Sequence, residues 1–486
     1  MALRATVALA RLAALAAVAL CVMVPAAWAA PGATTGMEDE RLLFESPESA
    51  ADAINAWTGL GVDTVRMHAR WGEIAPSVRM PGFSPTDPDD PAYEWEKLDT
   101  AVDLVRAAGM EILLTVSGPG PGWTSRDRVR REGRWRPDPA KFAEFVRAVA
   151  RRYQGRIDSY LIWNEPNQPG WLSPQWTCTS RTRCTMTAPH LYRGLVRAAT
   201  PVIRAVDPGA KVLIGELAPI SGRRPAQSTA IGPIPFLRAM GCVDERYRVQ
   251  RRGACAGFKP AEGDGLGHHP HPVQRAPDEV NPKPDEAQLG DLDRLTGVLD
   301  RLTRAKRLLS TTPKMDLWLT EFGYQTSPPD HAIGIPLATH ASYIQQAAYI
   351  AWRNPRVRNL THYQWEDESV VTRGEGIRAY SGWQSGLKHI DGRPKPALAV
   401  FPDPLVVDPK RGVLWGQVRP GTSHAVRIER TSRGATAAQA FRTLETDRFG
   451  VFTVDINPSD GAQYRFNYGE SPYVESSSPA ARMRAR

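Results

Sequence analysis

Two glutamates stand where they could serve one reaction. Trp163-Asn164-Glu165-Pro166-Asn167 follows one apolar run, and Trp318-Leu319-Thr320-Glu321-Phe322-Gly323-Tyr324 carries a second glutamate at the end of another. Two carboxyls facing one ligand can divide the work. One stays protonated and gives its proton to a leaving oxygen, while the other stays ionised and attacks carbon. Mutual repulsion and unequal surroundings separate their pKa values enough for both roles at one pH. The spacing alone does not say which glutamate takes which role.

Other side chains could join them. Arg66 sits inside the apolar run Val65-Arg66-Met67, where a buried guanidinium is costly unless it is paired. His68, Arg70 and Trp71 follow closely. Glu216 closes the run Lys211–Glu216, as a substrate contact or a salt-bridge partner. His268, His269 and His271 close Gly265–His269, and the first two, being adjacent, face opposite ways along a strand. A metal held by these three is the weaker reading, and neither a metal nor a cofactor is expected. Trp365 closes Asn359–Trp365, and Trp123, Trp171 and Trp176 lie in nearby loops. Aromatic faces suit sugar rings, but they also serve as lids over a core.

The elements that would position these residues alternate. Strands are expected at Glu40–Phe44, Asp63–Met67, Glu111–Ser117, Ile157–Trp163, Lys211–Glu216, Gly265–His269, Met315–Glu321 and Asn359–Trp365. Helical stripes lie between them. Leu98, Val102 and Val105 form one, and Phe142, Phe145, Val146, Val149 and Tyr153 another. Eight strand–helix repeats point to an α/β fold, a closed (β/α)8 TIM barrel over residues 38–401. On that count Glu165 ends strand four and Glu321 ends strand seven. The C-terminal strand ends form the mouth of such a barrel.

After Phe401 the helical period disappears. Leu405–Val407, Val413–Val418, Ala425–Arg430, Phe441–Leu444, Val451–Ile456 and Gln463–Asn467 read as short strands of a small β-sandwich over 402–469. The Ser/Pro/Arg-rich stretch 470–486 reads as a disordered tail.

The N-terminus has the layout of a secretory signal peptide over residues 1–29. Arg4 opens it, an apolar run spans Leu12 to Val24, and Ala27-Trp28-Ala29 gives a small-x-small cleavage site. Cys21 falls within it. Four further cysteines form two local pairs, Cys178 with Cys184 and Cys242 with Cys255, the natural disulfides of an oxidising compartment. The chain of 486 residues carries a net charge of +9, of which Arg4 and Arg11 would leave with the leader. Its arginines are dispersed and not interleaved with aromatics as on a nucleic-acid surface, so no nucleic-acid partner is expected. No membrane span is expected in the mature chain, and oligomeric state is not encoded.

Asn-Glu-Pro after strand four and Thr-Glu-Phe-Gly after strand seven resemble the glycoside hydrolases of clan A, above all families 39 and 5. The resemblance covers roughly residues 38–400. It implies a retaining O-glycosidase acting on oligo- or polysaccharides, secreted if the leader is read correctly, with Glu165 as general acid/base and Glu321 as nucleophile. It implies that Asn164 binds the sugar 2-hydroxyl and that Arg66 lies beside the nucleophile. The clan often has His-x-Tyr after strand six, with the Tyr on the nucleophile; here His269 matches the His and His271 replaces the Tyr. Trp365 would be the stacking platform under the sugar. Two rival readings share these motifs, a carbohydrate-binding barrel without turnover and a transglycosylase. The sugar, its linkage and the choice of chain end or interior are not legible.

Overall fold

The computed structural model describes residues 32–180, 182–371, 374–457 and 461–476. The expected leader, including Cys21, lies outside these residues.

Eight parallel strands close into a barrel. They are β1 (Thr34–Glu38), β2 (Thr64–Arg70), β3 (Glu111–Ser117), β4 (Ser159–Ile162), β5 (Lys211–Leu217), β6 (Gly265–His268), β7 (Asp316–Phe322) and β8 (Val357–Tyr363). Each pairs with its neighbours in chain order, and β8 closes on β1 through Thr34 opposite Asn359. The strands are buried on both faces, which is why they read as near-continuous apolar runs. The main crossover helices are α1 (Pro47–Gly59), α2 (Glu96–Ala107), α3 (Pro139–Arg152), α4 (Ala188–Val206), α5 (Pro233–Met240), α6 (Leu292–Arg304) and α7 (Leu337–Arg353). Two of them start as their sequences direct. Ser46 and Asp138 accept hydrogen bonds from Ser49 N and Ala140 N, and Pro47 and Pro139 occupy the first helical position. The expected stripes of α2 and α3 are the faces that are buried.

The first strand differs from expectation. Glu40–Glu45 is helical, and the strand is Thr34–Glu38. Its Thr-Thr-Gly start is too polar to read as a core strand. The space inside the barrel explains the glycine: a Cβ on Gly36 would lie 2.3 Å from Thr361 Oγ1. Strand eight likewise ends at Tyr363, two residues before Trp365.

Leu113, Leu161, Leu213 and Trp318 make an apolar floor inside the barrel. Trp318 fits because residue 265 is glycine, where a Cβ would sit 2.1 Å from its ring. On this dry floor the next inward side chains toward the mouth are polar, among them Arg66 and Thr115.

The C-terminal region forms two antiparallel sheets. One contains β9 (Leu405–Asp408), β10 (Val413–Gln417) and β13 (Val451–Asp455). The other contains β11 (Ala425–Thr431), β12 (Gln439–Glu445), β14 (Gln463–Tyr468) and β15 (Val474–Glu475). Leu414, Val426, Phe452 and Phe466 share the core between them, as in a sandwich. The last strand lies within the stretch expected to be a disordered tail, because Phe466 and Val474 pair and bury together. Tyr349 and Trp352 of α7 pack on Trp415 at 5.5 and 5.6 Å, which seats this region on the barrel.

Both expected disulfides are present, Cys178–Cys184 and Cys242–Cys255. Among the described residues no helix is long and apolar enough to cross a membrane.

Candidate active site

The site is built on the turn after β4, bonded to an irregularity near the end of β5. Beyond β4 the backbone of Trp163 and Glu165 is left-handed, with φ of 68° and 36°, and Glu216 in β5 has φ of 48°. Such conformations cost a non-glycine residue about 1–3 kcal/mol each and persist only where the surroundings fix them. Here they do. Glu165 N donates to Glu216 O at 3.1 Å, and Trp163 N donates to Val116 O at 2.9 Å. The buried Asn167 amide clamps the same loops, donating to Ala218 O and Ile231 O and accepting from Ala218 N. The carboxyl of Glu165 is thereby aimed into the mouth.

Arg66 is the hub of the mouth and is wholly buried. Its Nε donates to Glu216 Oε1 at 2.7 Å, and its Nη1 to Glu321 Oε1 at 2.8 Å and to Glu38 Oε2. Its Nη2 donates to Asn164 Oδ1 at 2.8 Å. Glu216 is also bonded by Thr115 Oγ1 at 2.9 Å. One guanidinium thus ties together β1, β5, β7 and the turn after β4. Its planar fork suits this, and a lysine ammonium could not span the same set.

Glu165 and Glu321 meet at one nitrogen. His269 Nδ1 lies 3.1 Å from Glu165 Oε1 and 3.4 Å from Glu321 Oε2. The two carboxylate oxygens are therefore at most about 6.5 Å apart, the sum of those distances. His271 Nε2 lies 3.5 Å from the same Glu321 Oε2. His268 points the other way, its Nε2 2.9 Å from Ala287 O, so the three-histidine set considered for a metal does not converge.

These contacts set the charges. Burial raises the Glu321 pKa, but the charges of His269 and Arg66 outweigh it and hold the carboxyl well below its ordinary range. Burial likewise opposes ionisation of Glu216, yet Arg66 and His269 bring it down to about 2. Burial pushes Glu38 well above the ordinary range despite Arg66. His269 is pushed up to about 10: burial lowers it, but the charge of Glu321, the bond to Glu165 and the nearby Glu216 carboxylate prevail. At neutral pH the mouth holds an ionised Glu321 between two cations.

The aromatic walls differ from expectation. Trp365 belongs to the buried core, and Lys388 Nζ covers its ring at 4.6 Å, so that face is closed to a sugar. Half-buried Trp383 instead packs on His271 at 4.6 Å, with Tyr363 beside both. Half-buried Trp171 lies parallel to His68 at 6.3 Å. His68 Nδ1 is 2.9 Å from Glu40 Oε1, and Arg70 also bonds Glu40, which supports that side of Arg66.

The structure thus brings together Arg66, Asn164, Glu165, Glu216, His269, His271 and Glu321. Sequence reasoning missed Glu38, Glu40, Thr115 and Trp383. Glu38 was hidden by the displaced first strand; placed correctly, it ends that strand as Glu216 and Glu321 lie near the ends of theirs. Trp383 sits in a long loop with no periodicity to mark it.

A cellulase family model (glycosyl hydrolase family 5) matches residues 28–225. A family 39 glycoside hydrolase from Bacteroides cellulosilyticus WH2 has a similar fold, with TM-score 0.50 at 12% identity, covering 90% of this chain and 81% of that one. A glucosidase from Croceicoccus marinus has TM-score 0.49 at 13% identity, covering 88% and 94%. GH5_18 from Streptomyces cattleya, solved in complex with GlcNAc, has TM-score 0.47 at 16% identity, covering 75% and 78%. No curated protein matches the chain. The molecule is a closed (β/α)8 barrel followed by antiparallel sheets packed as a β-sandwich, and its residues 28–225 are similar to the cellulases of glycosyl hydrolase family 5. The fold as a whole is shared with the family 39 glycoside hydrolase named above.

Proposed function

We propose that the chain is a secreted retaining glycoside hydrolase that cleaves O-glycosidic bonds of oligo- or polysaccharides by double displacement. The observation that carries this reading is the shared contact of Glu165 and Glu321 with His269 Nδ1. It keeps their oxygens within about 6.5 Å. A retaining pair stands about 5–5.5 Å apart, and an inverting pair needs at least about 6.5 Å to admit a water.

In this mechanism Glu321 Oε2 attacks the anomeric carbon while Arg66 holds Oε1. Glu165 protonates the leaving oxygen, whose bond to the sugar breaks as the glycosyl–Glu321 ester forms. Glu165, now ionised, takes a proton from water, and the resulting nucleophile displaces Glu321 and releases the sugar. Arg66 occupies Asn164 Oδ1, which leaves the amide NH2 to donate to a sugar hydroxyl. Trp171 and Trp383 are the half-buried rings available for stacking.

A panel of aryl glycosides and polysaccharides, run with wild type and Glu321→Ala, tests the assignment. Wild-type turnover that vanishes in the variant and gives the retained anomer by NMR is expected. An inverted product, or turnover surviving in Glu321→Ala, would overturn it. Glycan binding without turnover would favour a binding barrel, and transfer products outrunning hydrolysis a transglycosylase.

Secretion is supported by the leader-like N-terminus and the two disulfides. Expression with the native N-terminus in a secreting host should yield an exported chain beginning at Ala30. Retention in the cytoplasm with Met1 intact would refute export.

A further inference from the structure

We propose that His269 Nδ1, His271 Nε2 and Glu321 Oε2 form a binding site for a divalent transition-metal ion of the zinc type, which blocks the carboxylate it binds. Glu321 Oε2 lies 3.4 Å from His269 Nδ1 and 3.5 Å from His271 Nε2. All three atoms lie within 4.8 Å of one another. Zinc holds nitrogen and oxygen ligands tetrahedrally at about 2.0–2.2 Å, which sets its ligand atoms roughly 3.3–3.5 Å apart. The two contacts to Glu321 already have that length.

The atoms behind these ligands suit the same role. A metal-bound imidazole needs an acceptor for its other ring nitrogen, which fixes the tautomer. Behind His269, Glu216 Oε1 stands 3.8 Å from Nε2, beyond hydrogen-bonding distance. Behind His271, Gly323 O lies 3.4 Å from Nδ1. Arg66 holds the remaining oxygen of Glu321. The ligands stand at or near the ends of β6 and β7, so little backbone ordering is needed on binding.

The ion would sit on Oε2, the oxygen that attacks in the proposed mechanism. Inhibition by the metal therefore rests on that reading; binding of the metal does not.

Calorimetric titration of the chelator-treated full chain with zinc chloride tests the site. One ion per chain is expected, with affinity weakened at least tenfold in His271→Phe. Absence of binding by folded wild type, or unchanged affinity and stoichiometry in folded His271→Phe, would overturn the proposal. Should that variant not fold, X-ray absorption at the zinc edge of the wild type decides. Two imidazoles and at least one carboxylate oxygen support the site, and any other ligand set refutes it. On whichever glycoside the wild type cleaves, zinc should raise the apparent KM. A chain that binds zinc there yet cleaves nothing would refute the glycosidase reading alone.

Discussion

Arg66 Nη1 lies 2.8 Å from Glu321 Oε1, and the same guanidinium bonds Glu38, Glu216 and Asn164. Four elements of the barrel mouth therefore depend on one buried side chain. Replacing it by methionine would leave several carboxyls without their shared cation. Loss of one partner from a buried ionic network costs about 3–5 kcal/mol. Arg66→Met is expected to lower stability by that order in chemical denaturation. Arg66→Lys should fold better yet lose at least tenfold in kcat/KM, because an ammonium cannot hold Glu321 and Asn164 together. Wild-type kinetics in Arg66→Lys would show that the fork geometry is not needed.

The pH dependence of stability follows from the shifted groups. Glu321 and Glu216 are lowered, so their stabilisation is present above the ordinary carboxylate value of about 4.3 and is lost only as pH falls through the depressed values. His269 is raised to about 10, so its contribution is full below its ordinary value of about 6.5 and fades as pH rises toward 10. Glu38, pushed up by burial, acts against stability as pH rises through its ordinary range. The excess Tm of wild type over His269→Gln is expected to be largest near pH 6 and to shrink steadily toward pH 10. A difference that stays flat across that range would contradict a charged His269.

Two tryptophans should separate by readout. Trp383 is half-buried against His271, whereas Trp365 is 4% exposed under Lys388. Trp383→Ala is expected to raise KM at least tenfold with little change in Tm. Trp365→Ala should cost about 3–5 kcal/mol of stability, the usual penalty for emptying a core site of an aromatic ring. The opposite pattern, measured by kinetics and thermal melting together, would return the stacking role to Trp365.

The sequence by itself determined the barrel, because strands covered on both faces must be apolar runs and the crossover helices must carry one apolar stripe. Seven of the eight barrel strands lie where those runs lie. The first escaped because Gly36 and its threonine neighbours face a crowded interior where small side chains are needed, so no apolar run marks it. Glu165 and Glu321 were legible as residues ending strands four and seven, since strand order fixes the rim on which they stand. Only the tertiary structure decided that His269 Nδ1 joins them, that Arg66 gathers Glu38 and Glu216 as well, and that Trp365 is buried under Lys388 while Trp383 packs half-buried on His271. Those contacts join residues on separate strands and loops, most of them far apart in the chain. Their closeness comes from barrel closure and the left-handed backbone at Trp163, Glu165 and Glu216, which no local pattern of residue types encodes.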